Sequence, residues 1–279
     1  MASMDTQLNR GPDQNSAERS SPSRQFDSQS LEESVETQKK ELGERNSNTI
    51  DTMLELVLSY RFDGRLEEAE TLTRNIIQIR REDLGETHRD TLVSITKLAE
   101  IYAELGREIE AEKLQLNVLE ARRKVLGELD EDTIDSMEQL AIWYQNRGEY
   151  HNQKRDLDKS EELYQMVLKS NTTIHGQGHE ITFESSTNLA GIYRLQGRLD
   201  EAKKLQTGIV EKSKTVLGLE HTSTAVSIEE LARINHAQNR IESAKLLQKQ
   251  AIDIYKATVG DKHPLTEEAE GEFIRICQS

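Results

Sequence analysis

The sequence predicts an all-α solenoid of antiparallel helix pairs. Three observations predict it: one motif recurs in register, the same turn residues punctuate every copy, and the 279-residue chain holds three prolines, residues that break helix interiors. Each copy opens on a glycine: Leu42-Gly43, Leu84-Gly85, Leu126-Gly127, His175-Gly176, Leu217-Gly218 and Val259-Gly260. By subtraction, the glycine spacing is 42 residues four times and 49 once. Three residues on stands Asn46, His88, Asp130, His179, His221 or His263, and three further on a threonine every time: Thr49, Thr91, Thr133, Thr182, Thr224 and Thr266. Apolar residues at helical spacing follow, such as Ile95, Leu98, Ala99 and Tyr102. A second punctuation follows at Gly64, Gly106, Gly148, Gly197 and Asn239. A second amphipathic segment closes the unit, with Ala69, Ala111, Ala202 or Ala244 near its start. Glycine at these places supplies the left-handed residue that ends a helix, and asparagine is a good substitute.

The run Leu98-Ala99-x-x-Tyr102 followed by Ala111 resembles the tetratricopeptide (TPR) pattern. The 42-residue spacing with Leu-Gly-x-x-His-x-x-Thr resembles the long TPR units of kinesin light chains. It is also similar to the solenoid tails of fungal NACHT and NB-ARC receptors. The resemblance covers residues 42 to 277 and implies a right-handed superhelix. The tryptophan of the short TPR pattern is absent: Met53, Ile95, Met137, Ser186 and Ile228 stand in its place.

Residues 1–27 are rich in Ser, Gln, Asn, Asp and Arg without a periodic apolar face, which predicts a disordered tail. Residues 28–279 are expected to form the solenoid. Ser30-Leu31-Glu32-Glu33 looks like a capping box opening a helix, with Leu31 and Val35 inward, that covers the first repeat. Repeats one and two pair helix 47–62 with 66–83 and helix 89–105 with 108–125. Repeat three is longer by seven residues. Helix 131–147 is followed by Gly148 and the insertion 151–157, and the normal frame resumes at Asp158. Seven residues are about two helical turns, so an extended helix would keep its face in phase. Asp158-x-x-Glu161 offers a fresh capping box, however, and Asn152 is a poor helix former, so a surface loop is the expectation. Repeats four and five pair 180–196 with 199–216 and 222–238 with 241–258. A last helix begins at Pro264, where proline suits the first turn. Its Phe273, Ile274 and Cys277 take the core places of Leu231, Ala232 and Asn235.

Composition bounds the function. A net charge of −15 disfavours nucleic acid and anionic membrane as bulk electrostatic partners. Cys277 is the only cysteine, which fits a reducing compartment. With neither an apolar leader nor an apolar run of about 20 residues, the expectation is a soluble cytoplasmic protein. His175, His179 and Glu180 tempt a metal reading, but Gly176 and Gly178 interrupt the spacing. His179 also aligns with residues suited to cap a helix. No metal, cofactor or catalytic constellation is expected: the glycines end helices rather than forming a phosphate loop, and no serine sits in a nucleophile elbow. Trp143 aligns with Ile101, Ile192 and Ile234, a core position.

With no such chemistry expected, the TPR resemblance implies a non-enzymatic interaction module whose concave surface binds a peptide or partner protein. The resemblance to kinesin light chains implies adaptor-like binding. The resemblance to NACHT and NB-ARC tails implies the alternative, a regulatory solenoid partnering a separately encoded NTPase. In TPR-like units the concave side is lined by residues five and two before the core leucine and two and five after it. Here these include Asp51, Leu54, Leu58 and Arg61 in repeat one, and Thr96 and Glu100 in repeat two. Repeat three adds Asp135, Glu138 and Ile142, repeat four Glu184, Thr187 and Arg194, and repeat five Glu229 and Arg233. Grooves of the family that clamp acidic peptide ends use Lys or Asn at the middle two places, where Arg233 is the sole base. The expected ligand is therefore a basic segment with an apolar anchor meeting Leu54, Leu58 or Ile142. On the punctuation alone, Gly106→Val is expected to destabilise by roughly 1 kcal/mol or more, because a β-branched residue is poor in the left-handed region; a melting curve checks it.

Overall fold

The computed structural model describes residues 28–279 apart from Asn152; the tail expected over 1–27 lies outside them. Among the described residues there are twelve α-helices, the predicted cap, five pairs and closing helix. Contacts divide the chain into two compact units, Met1–Ile79 and Arg80–Ser279.

In the first unit, α1 (Ser28–Glu41) buries Leu31 and Val35, and α2 (Ser47–Phe62) buries Met53, Leu56 and Val57. Of α3 (Leu66–Leu84), the part to Ile79 belongs here and buries Ala69, Thr73 and Ile76. The expected capping box at Ser30 does not form. Helix α1 is already under way at Ser28, and the Ser30 carbonyl accepts from the Ser34 hydroxyl at 2.9 Å inside it. The cap of α2 is the predicted one. Asn46 is extended, and its side chain accepts from the Asn48 N–H at 3.0 Å. The Thr49 hydroxyl donates to the Gly43 carbonyl at 3.0 Å.

In the second unit the pairs are α4 (Arg89–Glu104) with α5 (Glu108–Leu126), α6 (Glu131–His151) with α7 (Lys154–His175), α8 (Glu180–Leu195) with α9 (Leu199–Val216), and α10 (Thr222–Ala237) with α11 (Ile241–Thr258). Helix α12 (Pro264–Gln278) closes the unit. The cap recurs: Nδ1 of His88, His179, His221 and His263 accepts from the N–H two residues on, at 3.2–3.3 Å, and Asp130 does the same with a carboxylate oxygen at 3.0 Å. At the first helix's far end the Tyr102 carbonyl accepts from the Arg107 N–H at 2.8 Å, around Gly106 at φ +73°. Asn239 takes the same left-handed conformation at φ +59°. Buried alanines let paired helices approach closely, as Ala190 of α8 and Ala202 of α9 do in one cluster with Ile234. Helix α12 departs from the expected register. It buries Ala269 and Ile276, leaves Ile274 and Cys277 exposed and Phe273 half-buried. Ala232, the counterpart of Ile274, belongs to a first helix with its own second helix, and no described residues supply one to α12.

The insertion 151–157 is mostly helix rather than the expected surface loop: His151 and residues 154–157 are helical, and Gln153 is not. Helix α6 continues through Gly148 to His151 and α7 begins at Lys154, so Asn152 and Gln153 alone separate them. Gly148 is a helix-interior residue rather than a terminator: a Cβ there would come within 2.8 Å of the Leu157 side chain. The insertion supplies its own core. Leu157 is buried, and Asp156 is 2 % exposed. Asp156 takes a two-pronged contact from Arg147, Nε at 2.6 Å and Nη2 at 2.7 Å. Arg147 also reaches Glu112 at 3.0 Å and lies over the Trp143 ring at 4.1 Å. Burial alone would raise the Glu112 carboxyl, but hydrogen bonds from Lys159, Tyr144 and Arg147 bring it down to about 2. These bonds explain how α7 starts at Lys154 rather than at the expected Asp158: a buried carboxylate is tolerated when its partner is geometrically fixed. Arg147→Ala leaves Asp156 buried without its cation and is expected to cost about 3–5 kcal/mol, whereas joint replacement of Arg147 by Met and Asp156 by Leu is expected to cost far less; denaturant midpoints of the three proteins check this.

Candidate protein-binding surface

The sequence rule for a lined groove can be followed helix by helix. In the first unit, Asp51 and Leu58 are exposed and Leu54 and Arg61 half-buried on α2; Leu58 keeps 50 % of its surface. In the second unit, Thr96 and Glu100 are half-buried on α4, and Thr96 donates back to the Leu92 carbonyl at 3.1 Å.

Helices α6 and α8 carry a second partly open stretch. Asp135 and Glu184 are exposed, Glu138 is half-buried, and Ile142 keeps 47 % of its surface. Asp135 and Glu138 lie three apart and Glu138 and Ile142 four apart, so they share one stripe of α6. Burial raises the Glu138 carboxyl above the usual range, and the negative charges of Glu184 and Asp135 raise it further. The same two glutamates, 138 and 184, add to the effect of burial in pushing up the Tyr164 hydroxyl. Among the described residues none of Asp135, Glu138 and Glu184 has an ion-pair partner; Asp135 accepts from the Gln139 amide at 2.8 Å. The site is therefore carboxylate-rich, partly dehydrated and unneutralised beside an exposed aliphatic side chain.

Further along, the expected lining is committed to internal contacts. Thr187 is 5 % exposed and accepts from the Gln206 amide at 3.2 Å. Arg194 donates to Glu230 at 2.8 Å, and Glu230 lies over Gly191, where a Cβ would stand 3.5 Å from its carboxylate. Glu229 is 8 % exposed and accepts from Tyr255 Oη at 3.1 Å and from Arg233 at 2.7 Å. Arg233 also faces Glu230 at 3.7 Å and Glu268 at 3.8 Å. The alignment rule picked these residues by position. It could not see Glu230 and Tyr255, which are core-facing and pair with them. His175 and His179 stack at 4.7 Å, with Nδ1 of His179 occupied by its cap bond. Trp143 is half-buried against the core of α6 and α7, edge-on to Tyr144 at 5.1 Å. No described helix is long and apolar enough to cross a membrane.

A tetratricopeptide repeat family model matches residues 48–111, 91–152, 145–207 and 182–257. Among solved structures, the chain is similar to a Podosopora anserina protein described as a kinesin light chain with nearly identical TPR-like repeats. That match has 27% identity and a TM-score of 0.62, over 75% of this chain and 96% of that one. A variant of the same protein matches at 26% identity and TM-score 0.63, over 75% and 95%. BtubC (BKLC) from P. vanneervenii matches at 18% identity and TM-score 0.64, over 85% and 92%, and bears on the fold alone. No curated protein matches.

The raised Glu138 carboxyl has a stability consequence. A carboxyl raised in the folded state carries a penalty that is full above its folded value and fades as pH falls towards the ordinary glutamate value of 4.5. Glu138→Gln is expected to raise the melting temperature at neutral pH and to lose that advantage on acidification; melts across pH 4–8 read it.

Proposed function

The chain belongs to the tetratricopeptide repeat family, typically non-enzymatic interaction scaffolds, and on that premise we propose that it binds a basic segment of a partner protein through an apolar anchor. The face shared by α6 and α8 is the centre of the proposed site. Asp135, Glu138 and Glu184 receive the positive charges, and Ile142 receives the anchor. In the first unit Asp51, Leu54 and Leu58 repeat this combination of carboxylate and aliphatic side chain. Residues 28–279 act as the binding module, in a reducing compartment such as the cytoplasm that keeps the exposed Cys277 thiol free.

One observation carries the reading. Most other buried or half-buried carboxylates of the second unit have a cation within reach: Glu112 with Lys159, Asp156 with Arg147, Glu161 with Arg198, Glu230 with Arg194. The Glu138 group keeps its charge unmatched, at a cost to the fold, and such local destabilisation is typical of binding sites. A cationic ligand relieves it.

The test is affinity for a panel of basic and acidic peptides with a central apolar residue. Basic peptides are expected to bind at least tenfold tighter than acidic ones. Binding should weaken with salt, since exposed charges are screened within about 10 Å at about 0.1 M. Glu138→Lys and Glu184→Lys should each abolish the preference. Tighter binding of acidic peptides to this face, or indifference to both substitutions, refutes the reading.

A further inference from the structure

A second opening lies elsewhere on the molecule. Helices α7 and α9, the second helices of successive repeats, flank a cavity of about 690 Å³ over α8. Leu168, Phe183, Leu189, Leu205 and Ile209 form its apolar walls. None of the residues assigned to the basic ligand lines it.

The cavity has a cause in the sequence. The position held by Met53, Ile95, Met137 and Ile228, all buried, is Ser186 in this repeat. Ser186 is half-buried, and its hydroxyl turns back to the Thr182 carbonyl at 2.7 Å. Phe183, at the place of Leu92 and Ile134, fills part of the space. The second missing side chain is on α9: Gly208 stands where the other repeats carry Asn75, Asn117, Met166 and Gln250. A Cβ built on Gly208 meets nothing within 4 Å. The corresponding depression in repeat two, where Ile95 and Asn117 are present, holds about 370 Å³, and that of repeat one, with Asn75, about 520 Å³. Repeat four thus lacks two side chains on one cavity. Glycine inside a helix is disfavoured, and among the described residues nothing uses Gly208 for a close approach.

The rim has a sign. Lys204 and Lys212 line the cavity four residues before and four after Gly208, so all three lie on one stripe of α9. Both lysines are exposed or nearly so, and neither makes an ion pair among the described residues. The third charged lining residue, Glu201, is already held by Arg198 at 2.8 Å. A chain of net charge −15 therefore presents two unpaired cations either side of an apolar hole. We infer that this cavity is a separate docking site for a helical segment of a partner protein. The segment inserts one Leu, Ile or Met side chain over Gly208, in the space Ser186 leaves, and sets carboxylates one turn to either side against Lys204 and Lys212.

The experiment uses the full chain and fluorescent helical peptides with a central Met and glutamates four residues to each side, or lysines at the same places. Anisotropy should show the glutamate peptide binding at least tenfold tighter. Gly208→Gln and Ser186→Met, residues the other repeats carry or resemble, should each weaken it tenfold or more without lowering the melting temperature. Lys204→Glu with Lys212→Glu, both outside the core, should reverse the peptide preference, and Glu138→Lys should leave it unchanged. Equal affinity for the two peptides, no binding of either, or full binding by the filled variants overturns the inference. So does self-association of the unmodified chain that Gly208→Gln abolishes, since the occupant would then be a second copy.

Discussion

The structure depends on a two-part latch at the start of each first helix. One side chain three residues after the glycine caps the helix, and a threonine three residues later ties the helix to that glycine's carbonyl. The second bond is 2.7–3.0 Å at Thr49, Thr91, Thr182, Thr224 and Thr266. It joins the end of one repeat to the beginning of the next through six residues of chain. In a solenoid each repeat contacts only its neighbours, so stability accumulates as a sum of local terms. A device that fixes the entry angle of every first helix therefore governs how its alanines and leucines meet the preceding pair. Repeat three is the exception: among the described residues the buried Thr133 hydroxyl has no partner, and the carboxylate of Asp130 does the capping. That repeat is also the one whose helices are lengthened and braced by Arg147 and Asp156.

Capping by histidine sets a chemical condition. Nδ1 accepts a backbone hydrogen bond at His88, His179, His221 and His263, so its lone pair must be free and the proton must sit on Nε2. Asn46 and Asp130 do the same work with an oxygen. The residue types at this position look unrelated, yet each presents an acceptor at the same reach from the backbone. Caps of this kind contribute about 0.5–2 kcal/mol each, which makes them comparable to a well-buried aliphatic side chain.

Most of the fold was legible because period and punctuation agree. Helix starts and the acceptor caps followed from the register. One misreading comes from a local signal outweighed by partners distant in sequence. Asp158 and Glu161 read as a capping box, but Asp158 accepts from Gln196 and Glu161 from Arg198, both in the next repeat. Gly148 argued for a helix end, but α6 runs on to His151 and leaves helix at Gln153, with Arg147 reaching Asp156 across the gap. The candidate groove was legible only as positions. Periodicity places Glu138 and Glu229 at equivalent points, yet the first lies among like charges and the second under Tyr255 and Arg233. That difference is made by neighbours on other helices, which a one-dimensional pattern does not contain.

The repeats also act as controls for one another. Three glycines inside helices show how. A Cβ on Gly148 collides with Leu157, so its absence is required by packing. On Gly191 it would touch the Glu230 carboxylate at 3.5 Å, so its absence lets an ion pair with Arg194 lie across the helix. On Gly208 it meets open space. The first two glycines are explained by what approaches them, and nothing among the described residues approaches the third. Where the same position elsewhere carries a side chain, and where the neighbouring Ser186 also falls short of its counterparts, the missing volume belongs to the surface rather than to the core. A repeat protein can vary such a position without disturbing its neighbours, because the latch and the buried alanines hold the backbone independently of what fills the space between second helices. The freedom to leave volume unfilled in one repeat is thus a consequence of the same local bonds that make the array regular.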